Sequence, residues 1–125
     1  MNRIGRLKRR AEFLAAAAAN RKWVAPGLVL QARAHEVAEI SADPIRLGFT
    51  ASRKVGNAVL RNRAKRRLRA AAAEILKANP VPQQPTDLVL IARPATVTRD
   101  YDSLKQDLRR GLQKLGVAPK EEKAR

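Results

Sequence analysis

The sequence predicts a single small α+β domain, an α-β sandwich with elements in the order α-β-β-α-β-α. Three observations carry that prediction. Leu28–His35 and Ile45–Ala51 alternate apolar and polar residues with the two-residue period of half-buried strands. Asp87–Ala92 contains the run LVLIA, apolar throughout, as a strand covered on both faces requires. Around these lie stretches whose apolar residues recur every three or four positions, the helical period.

Taken in order, residues 1–10 are basic and carry no periodic pattern, so they read as loose. Arg10–Asn20 is rich in strong helix formers, with Phe13 and Leu14 as its bulky apolar groups and Asn20 as a stop. Trp23–Pro26 reads as a connector. Leu28, Leu30, Ala32 and Ala34 then point one way, and Val29, Gln31, Arg33 and His35 the other. Glu36–Pro44 reads as a polar turn, which would make the first two strands an antiparallel hairpin. A helix runs from Asn57 to about Ala78. Pro80, Pro82 and Pro85 mark Asn79–Thr86 as an extended linker before the third strand. Arg93–Arg99 is a loop. Asp100 or Asp102 caps a last helix with the stripe Leu104, Leu108, Leu112 and Leu115, stopped by Gly116. The domain therefore covers 1–116, and 117–125 is a charged flexible tail. Helices are expected on one side of the sheet, with part of the other side open.

The chain carries 27 Lys and Arg against 11 Asp and Glu over 125 residues, a formal net charge of +16. Such a balance says little about fold and much about partners, with nucleic acid first. No cysteine is present, which excludes disulfides and thiolate metal sites. No apolar run is long enough to span a bilayer, and the N-terminal stretch lacks a secretory pattern. A cytoplasmic protein with no membrane partner and no small-molecule substrate is expected.

The charge concentrates in Arg46–Arg69, RLGFTASRKVGNAVLRNRAKRRLR. This is strand, basic turn, then helix. Leu60, Ala64, Leu68, Ala71 and Ile75 form one narrow apolar arc. Arg61, Asn62, Arg63, Lys65, Arg66, Arg67 and Arg69 occupy the remaining circumference, and Glu74 is the first acid on the helix. Like charges at helical spacing repel by some tenths of a kcal/mol per pair. Arginine's planar donor fork suits phosphate. An external polyanion accounts for a cluster of this kind better than a merely solvated face.

The stretch SRKVGNAVLRNRAKRRLR resembles the signature of the bacterial ribonuclease P protein family, in which a basic turn and Gly-Asn precede an Arg-Asn-Arg helix. LKRRAEF and DLVLIARPA are similar to that family's opening and last strand, so the resemblance spans roughly Arg6–Leu115. It implies a fold like that of ribosomal protein S5 domain 2, with a left-handed βαβ crossover where right-handed is the general rule. It implies that an RNA subunit, with Mg2+, cleaves precursor tRNA to free the mature 5′ end, with one protein per RNA subunit. By position, it assigns RNA-subunit binding to Arg53, Lys54, Asn57, Arg61, Asn62, Arg63, Lys65, Arg66 and Arg69. A cleft for the 5′ leader falls to Phe13, Ala17, Gln31, Arg33 and Ser52. Relatives often carry aromatics where this chain has Ala17 and Gln31. Stacking on an unpaired base contributes about 1–3 kcal/mol, so this cleft should lean on polar contacts from Gln31 and Arg33 instead.

A protein-borne nuclease would need an acid–base pair or a metal cluster. His35 is the only histidine and reads as a surface residue. Asp100 and Asp102 are explained by capping and dipole compensation, and Trp23 by packing as readily as by stacking on a base. No catalytic or metal-ligating residue is expected in the protein. A general RNA-binding or ribosome-associated module is the alternative with the same charge. A membrane-surface helix is disfavoured, since the arginine helix lacks a large apolar face.

Overall fold

The computed structural model describes residues 4–34, 45–78 and 86–117. Its elements are strand β1 (Ile4–Arg6), helix α1 (Arg10–Ala18), strands β2 (Lys22–Val24), β3 (Leu28–Ala34) and β4 (Ile45–Thr50), helix α2 (Ala58–Ala78), strand β5 (Thr86–Ala92) and helix α3 (Tyr101–Lys114). Short 3-10 turns occupy Arg53–Val55 and Pro94–Val97. His35, the expected turn 36–44, the linker residues 79–85 and the charged stretch 119–125 lie outside the described residues.

Among the described residues the sheet has five strands, ordered β1-β4-β5-β3-β2. Strand β5, with its apolar run LVLIA, sits at the centre, where neighbours cover both of its edges and both of its faces. It pairs parallel with β4 (Ile45↔Thr86 to Thr50↔Ile91) and antiparallel with β3 (Leu28↔Ala92 to Ala34↔Thr86). The expected hairpin between the first two long strands is therefore not formed, because β5 lies between them. Amphipathic strands can flank the centre of a sheet, whereas a strand apolar on both faces is driven into it.

Two elements read as irregular are strands. β1 pairs parallel with β4, and β2 pairs antiparallel with β3. Each is three residues long, too short to show a period, and each forms by pairing its backbone with a longer neighbour at the sheet edge.

The two faces of the sheet carry separate cores. Leu88, Leu90 and Ala92 of β5 pack with Leu28, Leu30, Ile45 and Leu47 against Ala64, Leu68, Ala71 and Ile75 of α2 and Leu104, Leu108 and Leu112 of α3. Val89 and Ile91 point the other way, onto Leu7, Phe13 and Ala16. α1 thus lies on the face opposite α2 and α3, and covers only part of it. Val29, Gln31, Thr50 and Ile91 on that face remain half-buried. Phe13 seats closely because Gly48 leaves room: a Cβ there would come within 2.5 Å of its ring.

The helix ends follow the sequence signals. Asn20 adopts φ 59 just beyond α1. Asn57 Oδ1 accepts the Leu60 N–H at 3.0 Å to start α2, after Gly56 at φ 142. Side chains other than glycine rarely adopt that φ. Asp100 Oδ2 accepts the Ser103 N–H at 3.1 Å at the start of α3. Val117, expected in the tail, is buried, and its N–H bonds to the Leu112 carbonyl at 2.8 Å.

Candidate nucleic-acid interface

The apolar arc of α2 faces the sheet and α3, which fixes the direction of everything else on the helix. Asn62, Arg63, Arg66 and Arg69 are exposed, as are Arg53, Lys54 and Asn57 in the turn before it. Arg61 and Lys65 are half-buried at the flanks of the arc. Ser52 caps the basic turn by accepting the Lys54 N–H at 3.3 Å. Among the described residues, no carboxylate lies within ion-pair distance of Arg53, Lys54, Arg61, Arg63, Lys65, Arg66 or Arg69. The first acid on the helix, Glu74, is engaged elsewhere. It accepts the Tyr101 hydroxyl at 2.7 Å and Lys105 Nζ at 3.0 Å, both on α3. Those two contacts, Tyr101 first, hold its carboxyl below the ordinary glutamate range.

Arg67 departs from the rest of the cluster. Its guanidinium donates to the carbonyls of Thr96 (2.7 Å), Val97 (3.1 Å) and Arg99 (2.5 Å). It ties α2 to the loop before α3. One helical step decides this, since Arg67 is next to Leu68 on the buried side and Arg66 is not.

On the other face of the sheet, Phe13 and Ala17 of α1 and Gln31 and Arg33 of β3 share the side on which α1 packs, and Ser52 stands apart from them. Phe13 is half-buried on Gly48, and Ala17 is exposed one turn further along. Gln31 and Arg33 on β3 point to the same side as Val89 and Asp87, their register partners on β5. Arg33 is not wholly available, because its Nη1 lies 3.5 Å from Asp87 Oδ2. Ser52 lies beyond the end of β4, in the turn that leads to α2.

Asp87 and Asp107 are anchors that the sequence reading missed. Asp87 is fully buried in β5 and takes Arg46 bidentately, Nε to Oδ1 and Nη2 to Oδ2, each at 2.8 Å. Arg46 also reaches Glu12 of α1 at 3.1 Å. Glu12 in turn accepts the N–H groups of Lys8 (2.8 Å) and Arg9 (3.0 Å). The Arg9 N–H, then that of Lys8 and the Arg46 guanidinium, hold the Glu12 carboxyl below its ordinary value, against the opposing effect of burial. Asp107 accepts Arg99 Nε at 2.7 Å and the Gly27 N–H at 3.0 Å. A visible signal existed for Asp87, a lone carboxylate beginning an apolar run, but its partner Arg46 lies 41 residues earlier, beyond α2. Its partner could not be read without the register.

Among the described residues, no group of three or more His, Asp or Glu side chains could hold a metal ion. No helix there is long and apolar enough to cross a membrane. Trp23 packs against Leu30 and Gly111 rather than standing free for a base.

Known proteins share this chain's sequence pattern and fold. The family model described as Ribonuclease P matches residues 1–116. The chain is 48% identical to the ribonuclease P protein component of Paramagnetospirillum magneticum over 94% of this chain and 87% of that one. It is 49% identical to that of Gluconacetobacter diazotrophicus over 93% of this chain and 95% of that one. Among solved structures, the Staphylococcus aureus RNase P protein superposes with a TM-score of 0.71 at 26% identity, covering 90% of this chain and 96% of that one. The Thermotoga maritima protein gives 0.66 at 25% identity, covering 84% and 92%. The chain belongs to the ribonuclease P protein family, the protein subunit of a holoenzyme that cleaves precursor tRNA with its RNA subunit as the catalyst.

Proposed function

We propose that the chain works as an electrostatic clamp between two RNAs. The α2 face formed by Arg61, Asn62, Arg63, Lys65, Arg66 and Arg69, with Arg53, Lys54 and Asn57 of the turn, seats on the RNA subunit. The cleft between α1 and the sheet, at Phe13, Ala17, Gln31, Arg33 and Ser52, takes the 5′ leader of precursor tRNA. The observation that carries this reading is the unpaired state of the α2 cations among the described residues. Each phosphate they neutralise releases condensed counterions, which favours association.

In this reading one protein serves one RNA subunit in the cytoplasm. Mg2+ belongs to the RNA, and the protein lowers the concentration needed to bring two polyanions together. Only precursor carries a leader, so only precursor gains from the cleft. Ala17 and Gln31 give the cleft little to stack on, and the leader is held through hydrogen bonds and Phe13.

The test compares binding of precursor and mature tRNA to the RNA subunit, with and without the protein. Precursor affinity should rise more than mature affinity. Equal gains for both ligands would remove the leader from the cleft.

A further inference from the structure

The face of the sheet turned away from α1 carries a second concavity. A cavity of about 650 Å3 opens between β1, the adjoining part of β4 and the middle of α2. Ile4, Leu47 and Phe49 are its apolar walls, Ala73 closes the helix side, and Arg6 and Arg69 stand at its edges. Its size falls within the ~300–1,000 Å3 typical of small-molecule sites. It exists because β1 ends at Arg6 while β4 continues to Thr50. Past Arg6 nothing in β1 covers Phe49, which stays half-buried. The Arg69 guanidinium lies over the Phe49 ring, 5.2 Å from its centre. Arg69 is also one turn beyond Lys65 and Arg66, so the slot continues the unpaired cation row of α2.

An apolar slot beside an aromatic–guanidinium stack, with a cation on either side, has a specific chemical complement. A base offers a flat apolar face to stack, and its flanking phosphates offer charge to the two arginines. An apolar peptide would leave Arg6 and Arg69 without a counterpart, and a paired duplex has no free base to insert. We propose that this slot takes one unpaired nucleotide of the RNA subunit, its base against Phe49 and Arg69 and its phosphates toward Arg6 and Arg69. This rests on α2 being the face that meets the RNA subunit, and it adds a base contact to a surface otherwise made of phosphate contacts.

The test uses full-length protein and the cognate RNA subunit without tRNA. Ala73→Leu fills the slot from an exposed helix position that favours helix formers, and removes no charge. Arg69→Lys keeps the charge and removes the plane. Both should weaken binding ~10-fold, in line with the loss of one stacked base. Arg69→Lys should leave the slope of log affinity against log salt unchanged, Ala73→Leu should not steepen it, and both should expose one unpaired nucleotide to a 2′-hydroxyl acylating probe. Unchanged affinity and footprint in both variants would overturn the slot even where Arg63→Ala still flattens the salt slope, and the clamp would then stand without it. If Arg63→Ala is silent as well, the reading of α2 fails and takes the slot with it. A defect seen only when a leader-bearing tRNA is added would assign the slot to the leader and overturn the proposal.

Discussion

Arg46 and Arg67 donate their guanidinium protons to protein oxygens, whereas Arg63 and Arg66 hold theirs out to solvent. All four carry the same charge. The difference lies in which protein oxygens reach each guanidinium: backbone carbonyls for Arg67, carboxylates for Arg46. Glu12 and Asp87 gather around Arg46 beneath α1, Asp107 holds Arg99, and Glu74 turns to α3. Each is placed against the sheet or between helices, where an unpaired charge would be costly. Among the described residues, none is left for the first three turns of α2. A net charge of +16 is therefore not a uniform positive coat. Among the described residues, Arg33, Arg46, Arg99 and Lys105 are ion-paired, whereas the dense row of cations on the first turns of α2 has no carboxylate beside it.

The comparison breaks most visibly at Asp87. Replacing it with Ala leaves a buried void, takes the carboxylate from Arg33 and leaves Arg46 with Glu12 alone. Removing one partner of a buried pair costs about 3–5 kcal/mol. Urea unfolding of Asp87→Ala should register a loss of that size. A loss under ~1 kcal/mol would mean that the Arg46 fork contributes little to holding β4 against β5.

Arg66 and Arg67 offer a sharper contrast, since they are adjacent in the chain. Arg67→Ala abandons three carbonyls and should destabilise the fold by about 2 kcal/mol, with no change in the salt dependence of RNA binding. Arg66→Ala should leave stability within ~0.5 kcal/mol and reduce the log–log salt slope by about one. Matching behaviour of the two variants in both assays would erase the distinction between the two arginines.

The smallest effect concerns Glu12. Its carboxyl is held below the ordinary value of 4.5, so between its folded and unfolded values the native state binds fewer protons than the unfolded chain. The stability it contributes is complete above that ordinary value, and drains away as pH falls through the lower, folded one. Glu12→Gln should flatten the acid limb of a stability-versus-pH curve and lower its neutral plateau by a comparable amount, because the contribution it removes is one present at neutral pH. An acid limb identical to that of the unmodified chain would place the carboxylate outside the linkage.

Much of this was legible before any coordinates. The apolar arc of α2, the run LVLIA, the Asp100 cap and the leucine stripe of α3 all stand in the structure where their periods and caps put them. The cationic turn and helix were legible for the same reason: seven positions of one circumference are not apolar. Arg67 was not separable from them, because a helical wheel ranks positions by angle and says nothing of the loop that arrives from thirty residues later. β1 and β2 were invisible, as three residues show no period. The hairpin expectation failed because proximity in sequence was taken for proximity in the sheet.

By itself, then, the chain determined its local elements and its excess of positive charge, since periodicity, capping and net charge are properties of short stretches and of totals. The tertiary structure alone decided which arginines are neutralised. It also decided that β5 divides β3 from β4, that α1 lies across the sheet from α2, and that a slot remains beside Phe49. Those outcomes depend on which distant carboxylates and carbonyls arrive within ~3 Å of a side chain, the range over which a hydrogen bond forms, and no spacing along the sequence encodes that distance.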